Sequence, residues 1–259
     1  MALITLLSDF GIRDPSVAIA KGILLQSVPE ATLVDISHGV TPFSSRQAGY
    51  LLGACFRDFP ENSVHLVLVN IFDRGSLPLI LCRDSGQWLI GPDNGVIPMA
   101  IGHRPEHYWL AVSDSDTSTF VDWLKMAANF IALVVRPDFS PDGLPAYNLQ
   151  KSDLGELILE GTQPNCEVVH IDHYGNVILN INQKQFEEQR RGRTFELQLK
   201  RTERINRISG SFTEVREGDV FCRFNSAGAL EVGIRNGDAA RLLGIRLGSI
   251  NNEIKLVFQ

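Results

Sequence analysis

The residues best suited to chemistry in this chain are carboxylates, amides and aromatics gathered at the ends of apolar runs. The first such run, Leu3 to Leu7, closes on Ser8, Asp9 and Gly11, with Asp14, Pro15 and Ser16 just beyond. Further clusters stand at Asn70 to Gly75, Pro92-Asp93-Asn94-Gly95, Asp172-His173-Tyr174-Gly175-Asn176 and Asn225-Ser226-Ala227-Gly228. A carboxylate suits a vicinal diol or an ammonium, an aromatic suits the face of a base, and an amide suits the edge of a purine or an amino-acid carboxylate. Together they suit a ligand that is both nucleoside and amino acid. The same residue types also dominate turns for backbone reasons, so Asp9 as a turn former and Asp14 as a helix cap stay open beside the ligand roles.

In an open α/β sheet, ligands are met at the carboxyl ends of the strands, which is where the first cluster falls. The pattern predicts a strand over Leu3 to Leu7, a helix over Val17 to Gln26 and a second strand over Ala31 to His38, a crossover that favours parallel strands. A helix follows over Ser44 to Phe56, opened by a capping box at Ser44-Ser45-Arg46-Gln47. The unbroken apolar run Val64 to Val69 reads as a strand covered on both faces. Leu79 to Cys82 and Gln87 to Ile90 read as a hairpin-like pair, Gly91 to Gly95 as a turn able to present amide groups, and Val121 to Val134 as a buried helix. The Pro- and Gly-rich stretch Arg136 to Pro145 marks the connection to a second domain. From Cys166 onward, short alternating segments predict a small antiparallel barrel or sandwich.

The 259 residues, 44% hydrophobic and 21% charged, allow one large or two modest domains with a substantial core. A net charge of -6 and a pI near 5.5 leave no basic footprint for nucleic acid. No membrane span or leader pattern is seen, so a cytoplasmic protein is expected. Cys55, Cys82, Cys166 and Cys222 form no CxxC pair, which argues against a zinc site or a disulfide framework. No GxGxxG, GxxxxGK[ST] or GxSxG occurs, and no His/Cys/Asp cluster has metal-ligand spacing. No metal and no cofactor is expected.

Ser8-Asp9-Phe10-Gly11, Lys21-Gly22, Val34-Asp35-Ile36-Ser37-His38, Phe59-Pro60 with Ser63-Val64-His65, Pro92-Asp93-Asn94-Gly95, Ser118-Thr119-Phe120, Asp172 to Asn176, and Asn225 to Gly228 with Leu230-Glu231 form an ordered set. In that order they resemble the S-adenosyl-L-methionine hydroxide adenosyltransferases, a family that also contains the fluorinases and chlorinases. The resemblance implies an N-terminal Rossmann-like α/β domain over 1–145, a linker over 146–164 and a smaller C-terminal β-barrel over 165–259. It further implies a homotrimer with the site between subunits, and S-adenosylmethionine as substrate or ligand. Carried over by position, Asp9 holds the ribose diol, Asp14, Ser16, Asp172 and Ser226 the methionine part, and Tyr174 and Asn176 the adenine.

Three departures bear on the chemistry. Where the hydroxide-using members carry the Asp, Arg and His that orient water, this chain has Asn70, Leu77 and Val121. An amide is no carboxylate base, and Leu and Val offer no hydrogen bond. Asp73 and Arg74 could be a relocated pair or a solvated surface feature, and Ala227 stands where fluorinases place an Arg against the substrate carboxylate. The expectation is therefore a protein that binds S-adenosylmethionine and hydrolyses it to adenosine and methionine, with a non-catalytic regulatory homologue as the alternative.

Overall fold

The computed structural model describes residues 2–71, 77–102, 107–112, 119–149, 165–199, 203–249 and 252–259. The chain divides into two compact units, Met1–Leu154 and Gly155–Gln259. In the first, the apolar runs become β1 (Leu3–Ser8), β2 (Thr32–Ser37), β3 (Val64–Leu68), β4 (Leu79–Asp84), β5 (Gln87–Pro92) and β6 (Tyr108–Val112). The helices are α1 (Ser16–Ser27), α2 (Ser45–Gly53), α3 (Val96–Ile101) and α4 (Phe120–Val134). The six strands lie in the order β2-β1-β3-β5-β4-β6. Neighbours from β2 to β5 are parallel, while β4 runs antiparallel to both β5 and β6.

Side-chain alternation explains why β1 and β3 read as unbroken apolar runs. Ile4, Leu6, Val64, Leu66 and Leu68 pack against Ile23 and Leu24 of α1 and Trp123 and Ile131 of α4. Leu7, Val67 and Val69 join Leu52 of α2 and Ile97 of α3 in a separate core, so helices cover both faces of the sheet. Only half of the expected capping box at α2 forms. Ser44 accepts from the Gln47 N–H, while Gln47 Oε1 accepts from the Thr41 N–H at 2.7 Å.

The second unit carries β7 (Asn165–Cys166), β8 (Val168–Ile171), β9 (Val177–Asn182), α5 (Gln183–Arg190), β10 (Phe195–Leu199), β11 (Glu203–Ile205), β12 (Val220–Phe224), β13 (Ala229–Ile234), α6 (Ala239–Leu242) and β14 (Ile254–Phe258). Its strands pair into two four-stranded sheets, β11-β10-β14-β7 and β12-β13-β9-β8. Closure into the expected barrel needs strand pairing that runs round continuously; among the described residues the strands pair as these two sheets, and Ile208 adds an isolated bridge to Cys222 of β12. They share one core in which Phe186 of α5 meets Phe195, Phe224 and Phe258 edge-on at 5.0, 5.4 and 5.6 Å. A full capping box starts α5: Asn182 accepts from the Gln185 N–H, and Gln185 accepts from the Asn182 N–H. Asn182→Ala should therefore lower stability by about 1 kcal/mol in urea unfolding, and an unchanged midpoint would mean the box is idle.

The stretch 146–164, expected to link the domains, starts inside the first unit. Ala146 bridges Trp109, and the Tyr147 N–H donates to Tyr108 O at 2.8 Å. Residues 150–164 lie outside the described residues, as do Asp73 and Arg74. Burial pushes the thiols of Cys82, Cys166 and Cys222 up to about 12 and that of Cys55 to about 11. No helix among the described residues is long and apolar enough to cross a membrane.

Candidate functional site

The chain leaves β1 for β2 on one side and returns to β3 on the other, which makes the carboxyl ends of β1 and β3 a topological switch point. Asp9 follows β1 there and Asn70 stands just beyond β3. Asp9 Oδ2 accepts from the Asn70 N–H at 3.2 Å and from the Phe43 N–H at 2.9 Å. One carboxylate oxygen thus joins three loops at the crevice. Both amides belong to residues with left-handed backbone, Asn70 at φ 47° and Phe43 at φ 67°. An Asn tolerates that conformation, whereas for a Phe it is strained and of a kind that gathers at ligand sites. The Phe43 ring is 74% exposed. Sequence reasoning missed it, because nothing in Thr41-Pro42-Phe43 signals a positive φ.

A chain of polar contacts fixes the loop that carries Asp9. Ser8 Oγ lies 2.7 Å from His38 Nδ1, His38 Nε2 lies 3.1 Å from Asp35 Oδ1, and Lys21 Nζ donates to Asp35 Oδ2 at 2.7 Å. Desolvation works to raise the Asp35 carboxyl, but its contacts with Lys21 and His38 outweigh it and hold the group below its ordinary value. The order Ser–His–Asp is that of a hydrolase triad, yet Ser8 is fully buried and cannot meet a substrate. These contacts, with the Gly11 N–H donating to His38 O at 2.8 Å, hold the turn in place.

Asp14 is exposed and caps nothing, since Pro15 takes the cap position of α1 without a side-chain bond. Ser16 is the first residue of that helix. Leu77 is half-buried, and Val121 packs against the sheet's core. The Pro92 to Gly95 loop is buried, and the Asn94 amide is spent on Val69 O at 2.7 Å. That amide closes the end of β3 instead of facing a ligand.

In the second unit the structure brings Asp172, Tyr174 and Asn176 together around one tight turn. Asp172 Oδ1 accepts from the Tyr174 and Asn176 N–H groups at 2.9 and 2.8 Å, and Oδ2 accepts from Asn176 Nδ2 at 2.9 Å. All three residues line a cavity of about 760 Å³ that also meets Phe221, Arg223 and Glu231. Tyr174 is 77% exposed, a large aromatic left uncovered. Ser226 stands in the exposed turn after β12, outside that cavity. The cavity-lining charges Arg223 and Glu231 escaped a site assignment because alternating strands place charges outward as a matter of course. A second cavity, of about 580 Å³, lies by Leu3, Thr32 and Ser63 at the amino ends of the first unit's strands, away from the switch point. Among the described residues no group of three His, Cys, Asp or Glu could hold a metal ion.

The (R)-S-adenosyl-L-methionine hydrolase of Thermus thermophilus is 29% identical over 258 residues, covering 93% of this chain and 95% of that protein. The protein of the same name from Salinispora tropica is 27% identical, covering 95% of each. The crystal structure of an uncharacterized conserved protein from Thermotoga maritima superposes with a TM-score of 0.74 at 24% identity, over 98% of this chain and 99% of that one, which establishes a shared fold. Residues 4–137 match the model of the SAM hydroxide adenosyltransferase N-terminal domain and residues 166–250 that of its C-terminal domain. With both halves matched and Asp9 at the switch point of the first, the chain belongs to the SAM hydroxide adenosyltransferase family.

Proposed function

We propose that the protein binds S-adenosyl-L-methionine and transfers its adenosyl group to water, yielding adenosine and methionine. The observation that carries this reading is Asp9, held by two backbone amides at the switch point of a chain whose relatives along nearly their whole length are named (R)-S-adenosyl-L-methionine hydrolases. Asp9 takes the ribose diol, Asp14, Ser16, Asp172 and Ser226 the methionine part, and Tyr174 and Asn176 the adenine, with Asn70 at the edge of the site. The water oxygen bonds to C5′ as the C5′–S bond breaks, the electron pair goes to the sulfonium sulfur, and the water's surplus proton leaves to solvent. A sulfonium is already a good leaving group, so the protein has chiefly to position and desolvate the water. The working form is a homotrimer with the site formed where two copies meet.

A second reading is favoured by Asn70, Leu77 and Val121. Asn70 engages Asp9 through its backbone, and neither Leu77 nor Val121 can orient a water. A binding protein that kept the nucleoside site and lost the chemistry would look the same. Incubating the pure protein with S-adenosylmethionine separates the two. Adenosine and methionine in equal amounts above the protein-free background are expected. Intact S-adenosylmethionine with binding still measurable by calorimetry would leave the second reading, and failure to bind S-adenosylmethionine, S-adenosylhomocysteine or adenosine would sink both.

A further inference from the structure

We propose that Glu231 sets base selectivity at the cavity of the second unit, choosing a base with an exocyclic amine over its keto counterpart. The proposal rests on the nucleoside reading above, and it follows from strand register. Arg223 lies opposite Glu231 and Phe221 opposite Gly233 in the β12–β13 pair, so these side chains share one face of the sheet. Gly233 leaves that face open: the space of an added Cβ is taken by the Phe221 ring and by Asn176 Oδ1, 2.5 Å from where the Cβ would be. The amide is oriented, because its Nδ2 donates to the Asp172 carboxylate, which only accepts. An aromatic ring thus lies beside an amide oxygen, with Glu231 next along the strand.

Glu231 is 5% exposed and lines the cavity. Arg223 Nε donates to its Oε1 at 3.0 Å, and among the described residues Oε2 takes no hydrogen bond. The other carboxylates at this cavity are engaged locally. Both Asp172 oxygens serve their own turn, and Asp238 Oδ1 caps α6 by accepting from the Arg241 N–H at 2.8 Å. Oε2 therefore offers a nucleobase a nearly dry acceptor, with the Arg223 guanidinium held on the other oxygen of the same carboxylate. An exocyclic amine satisfies it, while a keto oxygen brought to the same point would face it acceptor to acceptor, an arrangement that discriminates between similar ligands.

Calorimetric titration of the full-length protein with adenosine and with inosine tests this, in wild type and in Glu231→Gln. The wild type should bind adenosine at least about tenfold more tightly, and Glu231→Gln should bring the ratio close to one, because a glutamine amide can turn its donor toward a keto oxygen. Should Glu231→Gln fail to fold, the double variant Arg223→Gln, Glu231→Gln removes the buried cation with its partner and must show the same narrowed ratio. Equal binding of the two nucleosides by wild type, or a ratio untouched by the substitution, would overturn the role of Glu231 and leave the nucleoside reading standing. Binding of neither nucleoside to wild type would overturn both.

Discussion

Gly175→Ala should destabilise the protein by roughly 2 to 5 kcal/mol, the sum of a left-handed backbone penalty and overpacking. Gly175 sits at φ 81°, and an added Cβ would run into the Asp238 carboxylate and come within 3.0 Å of Asp238 Cα. Neither group can step aside. Asp238 caps α6 through the Arg241 N–H, and the Gly175 carbonyl accepts from the Ala240 N–H at 2.9 Å. The substitution would therefore push apart the turn that holds Asp172, Tyr174 and Asn176 and the helix start beside it. Gly218→Ala is the control: φ is 84° there, yet nothing lies within 4 Å of the added carbon, so only the backbone penalty of about 1 to 2 kcal/mol applies. Urea unfolding of both variants gives the comparison. Equal midpoints would refute the close approach of Gly175 and Asp238.

Acid should weaken the first unit through His65. The ring is fully buried in β3, with Nδ1 2.8 Å from Thr5 Oγ1 and the rings of Phe56 and Phe59 edge-on at 5.8 and 5.4 Å. Desolvation pushes its pKa down to about 4 from 6.5, and a contact with Gln87 opposes this only in part. Above pH 6.5 both the folded and unfolded chains hold a neutral ring, so the site is neutral to stability. As pH falls toward 4 the unfolded chain takes up the proton first, and stability drops by about 3 kcal/mol over that window. Burial also lowers His170, so the measurement that isolates His65 is the difference between wild type and His65→Gln. The variant should lose most of its pH slope between 6.5 and 4, and parallel slopes would show that the buried ring does not drive the acid response.

Much of the fold was legible because hydrophobic pattern alone decides it. The run Leu3 to Leu7 read as a strand and Val64 to Val69 as a strand covered on both faces, and the helix packing over Leu52, Trp123 and Ile131 bears this out. The elements that escaped notice are those whose pattern is too short or too polar. Val96–Ile101 is one apolar turn and a half, and Tyr108–Val112 shows no alternation to set it apart. Gln183–Arg190 buries only Phe186, and its signal was the Asn182 and Gln185 pair, a capping box read by side-chain chemistry and not by hydropathy. The carboxylates at Asp9 and Asp172 were visible as candidates, but their partners were not. That Asp9 reaches Asn70 and Phe43 depends on two left-handed residues 27 positions apart, a conformational fact with no compositional trace. Asn94 read as part of a turn able to present an amide, and an amide in a Gly-Pro-rich turn gives no hint that a strand end will consume it.

Asp9 is tied into the fold whatever it meets, and this bears on how such a chain drifts. Its Oδ2 is the acceptor for two backbone amides, so its loss would be penalised in folding even in a descendant that no longer met any ligand. Selection for a folded molecule alone is enough to retain it. Leu77 and Val121 make no polar tie of that kind, and Val121 is kept apolar by its packing against the core of the sheet. The carboxylate at position 9 is thus fixed by architecture as well as by any ligand the crevice takes.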